Sequence, residues 1–371
     1  MVLSLFIGFL GGVFLLLAAL FSGIDRWRLG RLFVYTLVLY LFMIAGFRSL
    51  AINSDTRSYA SYALHFQQAA TDADPDVSDR LEWGFRALLR SLAFLLPKGD
   101  TESYPRDVNL TIAALGALLL CRAVSAAKEK LSGLLLIYFG CLFFVHQFAL
   151  IRLGLATLCF LNYFIPSYYA RRPGLSGIGL LVAGCLLHYT ILCLTVLLLI
   201  WEFVLRGTRR PNLEVGVFGF LICVAIFFGM LVDHIAPLFL SGYHLSLITR
   251  ASESSFSVKG MLEVTLCAAI FLIQFTKIRW SKERQHVRWR VLFYLTMFTF
   301  LLEVVSGLPF AGRFRILGYC LFLMQTMLIT NGLNFKRKTT WLVVMSASAS
   351  VAALVITMLK TQEWSFFIAS Q

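Results

Sequence analysis

The chain has 371 residues, 59% of them hydrophobic and only 14% charged, with 34 phenylalanines and a formal net charge of +14. Those proportions exclude a soluble globular protein and predict an all-α, polytopic membrane protein. The cations sit in short connections between apolar runs, with no motif for RNA or DNA among them, so they read as orientation signals and no nucleic-acid partner is expected.

Taken from the N-terminus, runs apolar enough for a bilayer core of about 30 Å fall at residues 2–22, 32–48, 108–121, 131–148, 151–170, 213–232, 258–276, 291–309, 314–333 and 340–358. The first has no basic n-region and no cleavage pattern, so it is expected to stay on the protein. The eight cysteines lie in or at the edges of apolar runs without a CxxC pair, which predicts neither a disulfide framework nor a metal site.

Positive charge sets the orientation. Arg26, Arg28 and Arg31 place the first connection inside, so the long segment 49–107 is expected outside. The clusters Arg122/Lys128/Lys130, Arg171/Arg172, Arg206/Arg209/Arg210, Lys277–Arg290 and Lys336/Arg337/Lys338 then alternate correctly only if 174–205 crosses an even number of times. Its length allows two short, tilted spans or a re-entrant hairpin, with the break near His188 and Tyr189 at the outer end. The result is a single domain of about 12 membrane segments, one pair short or re-entrant, with both termini outside.

Residues 49–107 form the outer loop. In "FRSLAINSDTRSYASYALHF" an uncharged run ends at Arg48, and Asn53 or Ser54 caps a helix whose first turn holds Asp55. Tyr59, Tyr62, Ala63 and Phe66 then recur at helical spacing, as in an amphipathic helix on the membrane surface. The acidic turn "TDADPDVSD" has carboxylates at Asp72, Asp74, Asp76 and Asp79 but not the spacing of a calcium loop, so it reads as solvated chain and no metal is assigned. "RLEWGFRALLRSLAFLL" is a second amphipathic helix bearing Glu82 and Trp83.

Further along, "HQFALIRLGLATLCFLNYF" sets Arg152 near the outer end of a span, where a cation is costly and marks a functional cavity unless it snorkels to the headgroups. His146 beside it reads as a packed or interfacial residue. His188, in "LLVAGCLLHYTILCL", would ordinarily be a hydrogen-bonded structural histidine; its place at a predicted helix break on the outer side makes it a site candidate. In "FLLEVVSGLPFAGRFRILGYC", Glu303, Arg313 and Arg315 flank an outer connection, where the arginines could pair with Glu303 or grip an anion bidentately. The outer face thus gathers Arg48, Asp55, Glu82, Arg152, His188, Glu303, Arg313 and Arg315, while the inner loops lack a Walker-type Gly-rich loop, a DxD-like pair and HExxH. A substrate that carries its own activation on a lipid fits this one-sided arrangement better than a nucleotide does.

The blocks "FRSLAINSDTRSYASYALHF" and "EWGFRALL" (an Arg, then Asp-x3-Tyr, then Glu-x-Gly-Phe), with "IRLGLATLCFLNY" (Arg-x-Gly-x-Ala) and "LLHYTIL", resemble the EpsG family, Wzy-like polymerases of bacterial O-antigen and exopolysaccharide. The resemblance implies a GT-C-like membrane glycosyltransferase. Such an enzyme moves a growing glycan from undecaprenyl pyrophosphate to the non-reducing sugar of another lipid-linked unit, on the periplasmic side of the bacterial inner membrane. It implies no cofactor; the partners are the undecaprenyl-pyrophosphate-linked oligosaccharide and the lipid bilayer, with a chain-length regulator protein as a further candidate. Carried onto this chain, Asp55, Glu82 and His188 are the candidate bases. Arg48, Arg152, Arg313 and Arg315, with Glu303, would bind substrate and steady the leaving pyrophosphate, and Tyr59 and Trp83 could stack on sugar rings. Two rivals remain at this stage: a membrane O-acyltransferase built on His188, and a flippase for lipid-linked oligosaccharides, which should show two similar halves where no internal repeat is found.

Overall fold

The computed structural model describes residues 8, 11–16, 18–19, 27–47, 54–68, 81–97, 103–125, 135, 138–139, 151–170, 174–207, 216–224, 227, 294–295 and 297–298, by backbone alone at 54–57, 60, 68, 168–170 and 204–207. The described residues are almost entirely helical and contain no strand. Seven helices carry the description: α1 (Arg28–Gly46), α2 (Ser54–Gln68), α3 (Trp83–Leu95), α4 (Ser103–Ser125), α5 (Ile151–Ala170), α6 (Leu175–Leu187) and α7 (Tyr189–Gly207). The chain divides into two compact units, Met1–Leu192 with Phe335–Gln371, and Cys193–Asn334.

Among the described residues two helices are long and apolar enough to cross a membrane, α1 and α4. At 1.5 Å per residue the 19 residues of α1 rise about 28 Å, close to a hydrocarbon core of about 30 Å. The helix begins at Arg28, four residues before the predicted start at 32, so Arg28 and Arg31 ride on its first turns rather than preceding it. Its buried stripe, Val34, Leu37, Val38, Leu41, Phe42 and Ala45, follows helical spacing. Leu29, Leu32, Phe33, Leu39 and Tyr40 on the remaining faces are exposed. A helix that is apolar on its outward face as well suits lipid, not water.

α4 packs against α1, α2 and α5, and α5 packs also on α6. Every described residue of α5 from Leu153 to Asn162 is buried, so this helix is the axis of the first unit. Between apolar helices in lipid, packing contacts and not water exclusion hold the bundle together, and small residues let backbones approach. Gly184 on α6 is such a point: a Cβ there would stand 2.9 Å from the Ala156 carbonyl oxygen and 3.1 Å from Cys159 Cβ. Asn162 ties α5 to α4, its Nδ2 donating to the Leu119 carbonyl at 2.7 Å and to Leu158 of its own helix at 2.9 Å. Near the end of α5, Pro166 lacks the N–H that would have reached the Asn162 carbonyl.

The segment expected to cross twice is two helices, and the break falls at His188. α6 is 13 residues long, about 20 Å, too short for an upright crossing. His188 has extended backbone (φ −159°, ψ 125°), and α7 starts at the next residue. The two amphipathic helices of the 49–107 loop also form. α2 and α3 run side by side in the same direction: the Tyr59 ring meets Phe85 edge-on at 4.8 Å, Arg90 lies 5.3 Å from the Phe66 ring, and Gln67 Nε2 donates to the Pro97 carbonyl at 3.2 Å. α3 buries Phe85, Leu89 and Leu92 and exposes Trp83, Phe94 and Leu95. In the second unit Trp201 stacks on Tyr294 at 4.2 Å, with Phe218 beside both. The predicted spans at 258–276, 314–333 and 340–358 lie outside the described residues.

The contact that places α3 is glycine-dependent. A Cβ on Gly84 would sit 2.7 Å from the carbonyl carbon and oxygen of Leu186, in the last turn of α6, and backbone atoms cannot step aside as a flexible side chain does. Gly84→Ala is therefore expected to destabilise the protein by about 1–3 kcal/mol, the usual range for overpacking. Gly179→Ala, where a Cβ meets nothing within 4 Å, should be neutral or slightly stabilising. Thermal unfolding of the detergent-purified variants measures both.

Candidate active site

Four of the residues singled out from the sequence meet at one place in the first unit: Tyr59 from α2, Glu82 at the start of α3, Arg152 in the first turn of α5 and His188 at the break between α6 and α7. Each arrives there for a local reason. Arg152 follows a long apolar stretch and opens an otherwise apolar helix, so its guanidinium stands at the edge of the oil, beside the positive end of the α5 dipole. That position is unfavourable for a cation and calls for a carboxylate. Glu82 occupies the N-cap position of α3 yet makes no capping hydrogen bond with its side chain. Its Oε2 accepts from Arg152 Nη1 in an ion pair.

Arg152 Nε donates to the Tyr59 hydroxyl at 2.7 Å. Tyr59 is itself clamped by the edge-on Phe85 ring, three residues beyond Glu82, so one turn of α3 supplies both the charge and the wall. On the other side, His188 Nε2 stands 3.9 Å from Glu82 Oε1, a charge–dipole contact longer than a hydrogen bond. The imidazole is fixed from behind, because its Nδ1 accepts the Thr190 backbone N–H at 3.1 Å. The side chain of Arg152 is 17% exposed, against 6% for Glu82 and 4% for His188. Arg152 is thus the open end of the cluster, with Glu82 and His188 behind it.

Two of the remaining candidates, Trp83 and Asp55, fall among the described residues. Trp83 is 70% exposed, directed away from the buried Glu82 next to it in sequence. Asp55 lies in the first turn of α2, four residues before Tyr59, in a stretch described by backbone alone. Arg48, Glu303, Arg313 and Arg315, like the acidic turn 71–79, lie outside the described residues. Among the described residues no three His, Cys, Asp or Glu side chains come together as a metal site would require. Three contributors were not singled out from the sequence. Thr190 acts through its backbone N–H, which leaves no signal in residue type, and Phe85 was quoted only as part of the Glu-x-Gly-Phe block. Gly84 sits inside the quoted Glu-x-Gly-Phe block, and that glycine two residues from Glu82 was the available clue.

Chemically the cluster offers a partly exposed guanidinium held by Glu82 and Tyr59. A guanidinium keeps its charge at any working pH and binds phosphate oxygens in pairs. Rigid mounting matters, since a positioned cation stabilises developing negative charge without reorganising during the reaction.

The sequence signature of the EpsG family matches residues 31–369, nearly the whole chain, and the chain belongs to that family. It is accordingly a membrane protein of exopolysaccharide and related polysaccharide biosynthesis. No curated protein and no solved structure matches the chain.

Removing one member of a buried ion pair strands the other. Glu82→Gln should lower stability by about 3 kcal/mol, and Arg152→Met in the same background should restore part of it, because the stranded cation is then gone. A double-mutant thermal unfolding cycle reads the coupling; additive losses would show that the two side chains do not depend on each other.

Proposed function

We propose that this EpsG-family protein polymerises lipid-linked oligosaccharide repeat units, with the Arg152 cluster as the site that receives the pyrophosphate of the donor. The observation that carries this reading is the guanidinium of Arg152, set at the end of a buried membrane helix, fixed by Glu82 and Tyr59 and still partly open. A pyrophosphate ester on a membrane lipid is the anion that arrives at this depth, and one glycosyl bond's worth of activation comes with it.

In the proposed step a hydroxyl oxygen of the acceptor's non-reducing sugar attacks the anomeric carbon of the donor glycan. The bond from that carbon to the pyrophosphate oxygen breaks, its electron pair stays on the pyrophosphate, and the hydroxyl proton passes to a base on the protein. The products are a longer glycan on the acceptor lipid and undecaprenyl pyrophosphate. Pyrophosphate leaves readily, so the demand on the protein is for cations at the leaving oxygen and one base. Arg152 supplies the first; Arg48, Arg313 and Arg315 are proposed to assist it. Asp55, Glu82 and His188 are the candidate bases that the sequence offers.

The reading places the site on the periplasmic face of the inner membrane, where the positive-inside distribution puts the 49–107 segment. It is favoured over acyl transfer, which asks for a histidine with an available base nitrogen. His188 Nδ1 is already engaged by a backbone N–H.

In a strain deleted for the gene, wild-type protein should restore a glycan ladder. Arg152→Ala should abolish the ladder at normal expression and membrane insertion, and Arg152→Lys should return only part of it, since a point charge lacks the bidentate fork. Asp55→Asn should cost about 10² in rate if it is the base, while changing Asp72, Asp74 and Asp76 together should do little. A normal ladder from Arg152→Ala would end the pyrophosphate-site reading.

A further inference from the structure

His188 looks, by residue type and by its place beside Glu82, like the base of the transfer step. We infer that it is instead a positioning residue: a neutral imidazole held as an Nε2–H donor toward Glu82, which in turn sets the guanidinium of Arg152. The inference rests on the proposed polymerase reading for its kinetic consequences, but its structural core does not.

The Thr190 backbone N–H points at His188 Nδ1 from 3.1 Å. A backbone amide always carries its hydrogen, so Nδ1 must present a lone pair, and a proton there would face another proton. The neutral ring then carries its single hydrogen on Nε2, the nitrogen that faces Glu82 Oε1 at 3.9 Å. A base needs a lone pair directed at the substrate. Here the one lone pair is used by the protein's own backbone, and the other nitrogen is a donor aimed at a carboxylate. The ring is also 4% exposed, against 17% for Arg152.

The break in the helix makes this arrangement. His188 ends α6, its own N–H donating to the Gly184 carbonyl at 3.1 Å, and it caps α7, its carbonyl accepting from Ile191 N–H at 3.0 Å while its ring accepts from Thr190. Satisfying the second backbone donor of a helix from the N-cap side chain is the usual role of Asn, Asp or Ser. A histidine does the same through Nδ1 and still has a second, opposed nitrogen to offer. That second nitrogen faces Glu82 Oε1 at 3.9 Å. Gly84, pressed on Leu186, fixes the distance from the other side. Glu82, with Arg152 at one oxygen and His188 facing the other, is likewise committed to orientation. The proton-accepting role then falls to a residue other than His188 and Glu82.

Two substitutions separate the functions of the ring. Gln reaches to the Nε2 position with an N–H donor but does not cap; Asn caps from the Nδ1 position but does not reach Glu82. Neither can accept a proton at working pH. For His188→Gln the expected polymerisation rate is at least ten-fold above His188→Ala, with the pH profile between 5.5 and 8.5 unchanged in shape. For His188→Asn the thermal midpoint is expected to recover more than the rate does. Loss of about 10² or more in both variants, with disappearance of a limb in the wild-type pH profile, would overturn the inference and make His188 the base. A measurement independent of activity accompanies these: nitrogen-15 spectra of the histidine-labelled protein, with the His188 signal assigned by its loss in His188→Gln. The expected result is a neutral ring protonated at Nε2 from pH 6 to 8. A ring protonated at Nδ1, or doubly protonated, would overturn it even if the protein proved not to be a polymerase, whereas an Nε2–H ring in an inactive protein would count against the polymerase reading alone.

Discussion

The ion pair between Arg152 and Glu82 is the constraint on which the described part of the molecule turns. A cation in the first turn of a buried apolar helix opposes both the low dielectric and the helix dipole. It is tolerable only with a carboxylate delivered to it from another element. That requirement links α5, at the axis of the first unit, to α3, one of the two amphipathic helices of the 49–107 segment. Every other feature of the site follows from bringing α3 close enough. Gly84 has no side chain because Leu186 backbone is where one would be. Phe85 closes on Tyr59, and Tyr59 accepts the second N–H of the guanidinium. A buried ion pair of this kind is weak evidence for stability, since desolvation offsets most of its attraction; geometry is the better reason to keep one.

The helix break contributes the opposite wall. A continuous helix through 174–205 would have used its own carbonyls and amides for its ladder and presented His188 as one more side chain on an apolar face. Interrupting it leaves backbone groups that the histidine must satisfy, and satisfying them fixes which nitrogen carries the proton. The same few atoms therefore cap a helix, orient a carboxylate and, through it, aim a guanidinium. The chemistry proposed for the site needs little more from the protein than a cation that does not move and a base that does not compete with it.

Much of this was legible in the sequence because charge in an apolar run is a strong signal. Arg152 is conspicuous as a cation in such a run, and the break at His188 was expected from the length of 174–205 and the spacing of the positive clusters around it. Tyr59 and Glu82 were visible through helical spacing and through the resemblance to EpsG. What was not legible is pairwise. Nothing in residue type says that Glu82 spends its carboxylate on Arg152 rather than on its own helix cap, or that Trp83 turns outward while its neighbour is buried. Backbone contributions such as the Thr190 N–H have no sequence signature, and the start of α1 slipped by four residues because arginines at a membrane helix end can belong to the helix as readily as to the loop.

The most direct test of the account is transfer by the purified protein in vesicles of defined lipid, supplied only with a synthetic polyprenyl-pyrophosphate oligosaccharide. The account predicts glycan elongation with one polyprenyl pyrophosphate released per linkage formed, without nucleotide or acyl donor, and loss of both products together in Arg152→Ala. Release that does not keep step with elongation, or elongation that survives in Arg152→Ala, would contradict it.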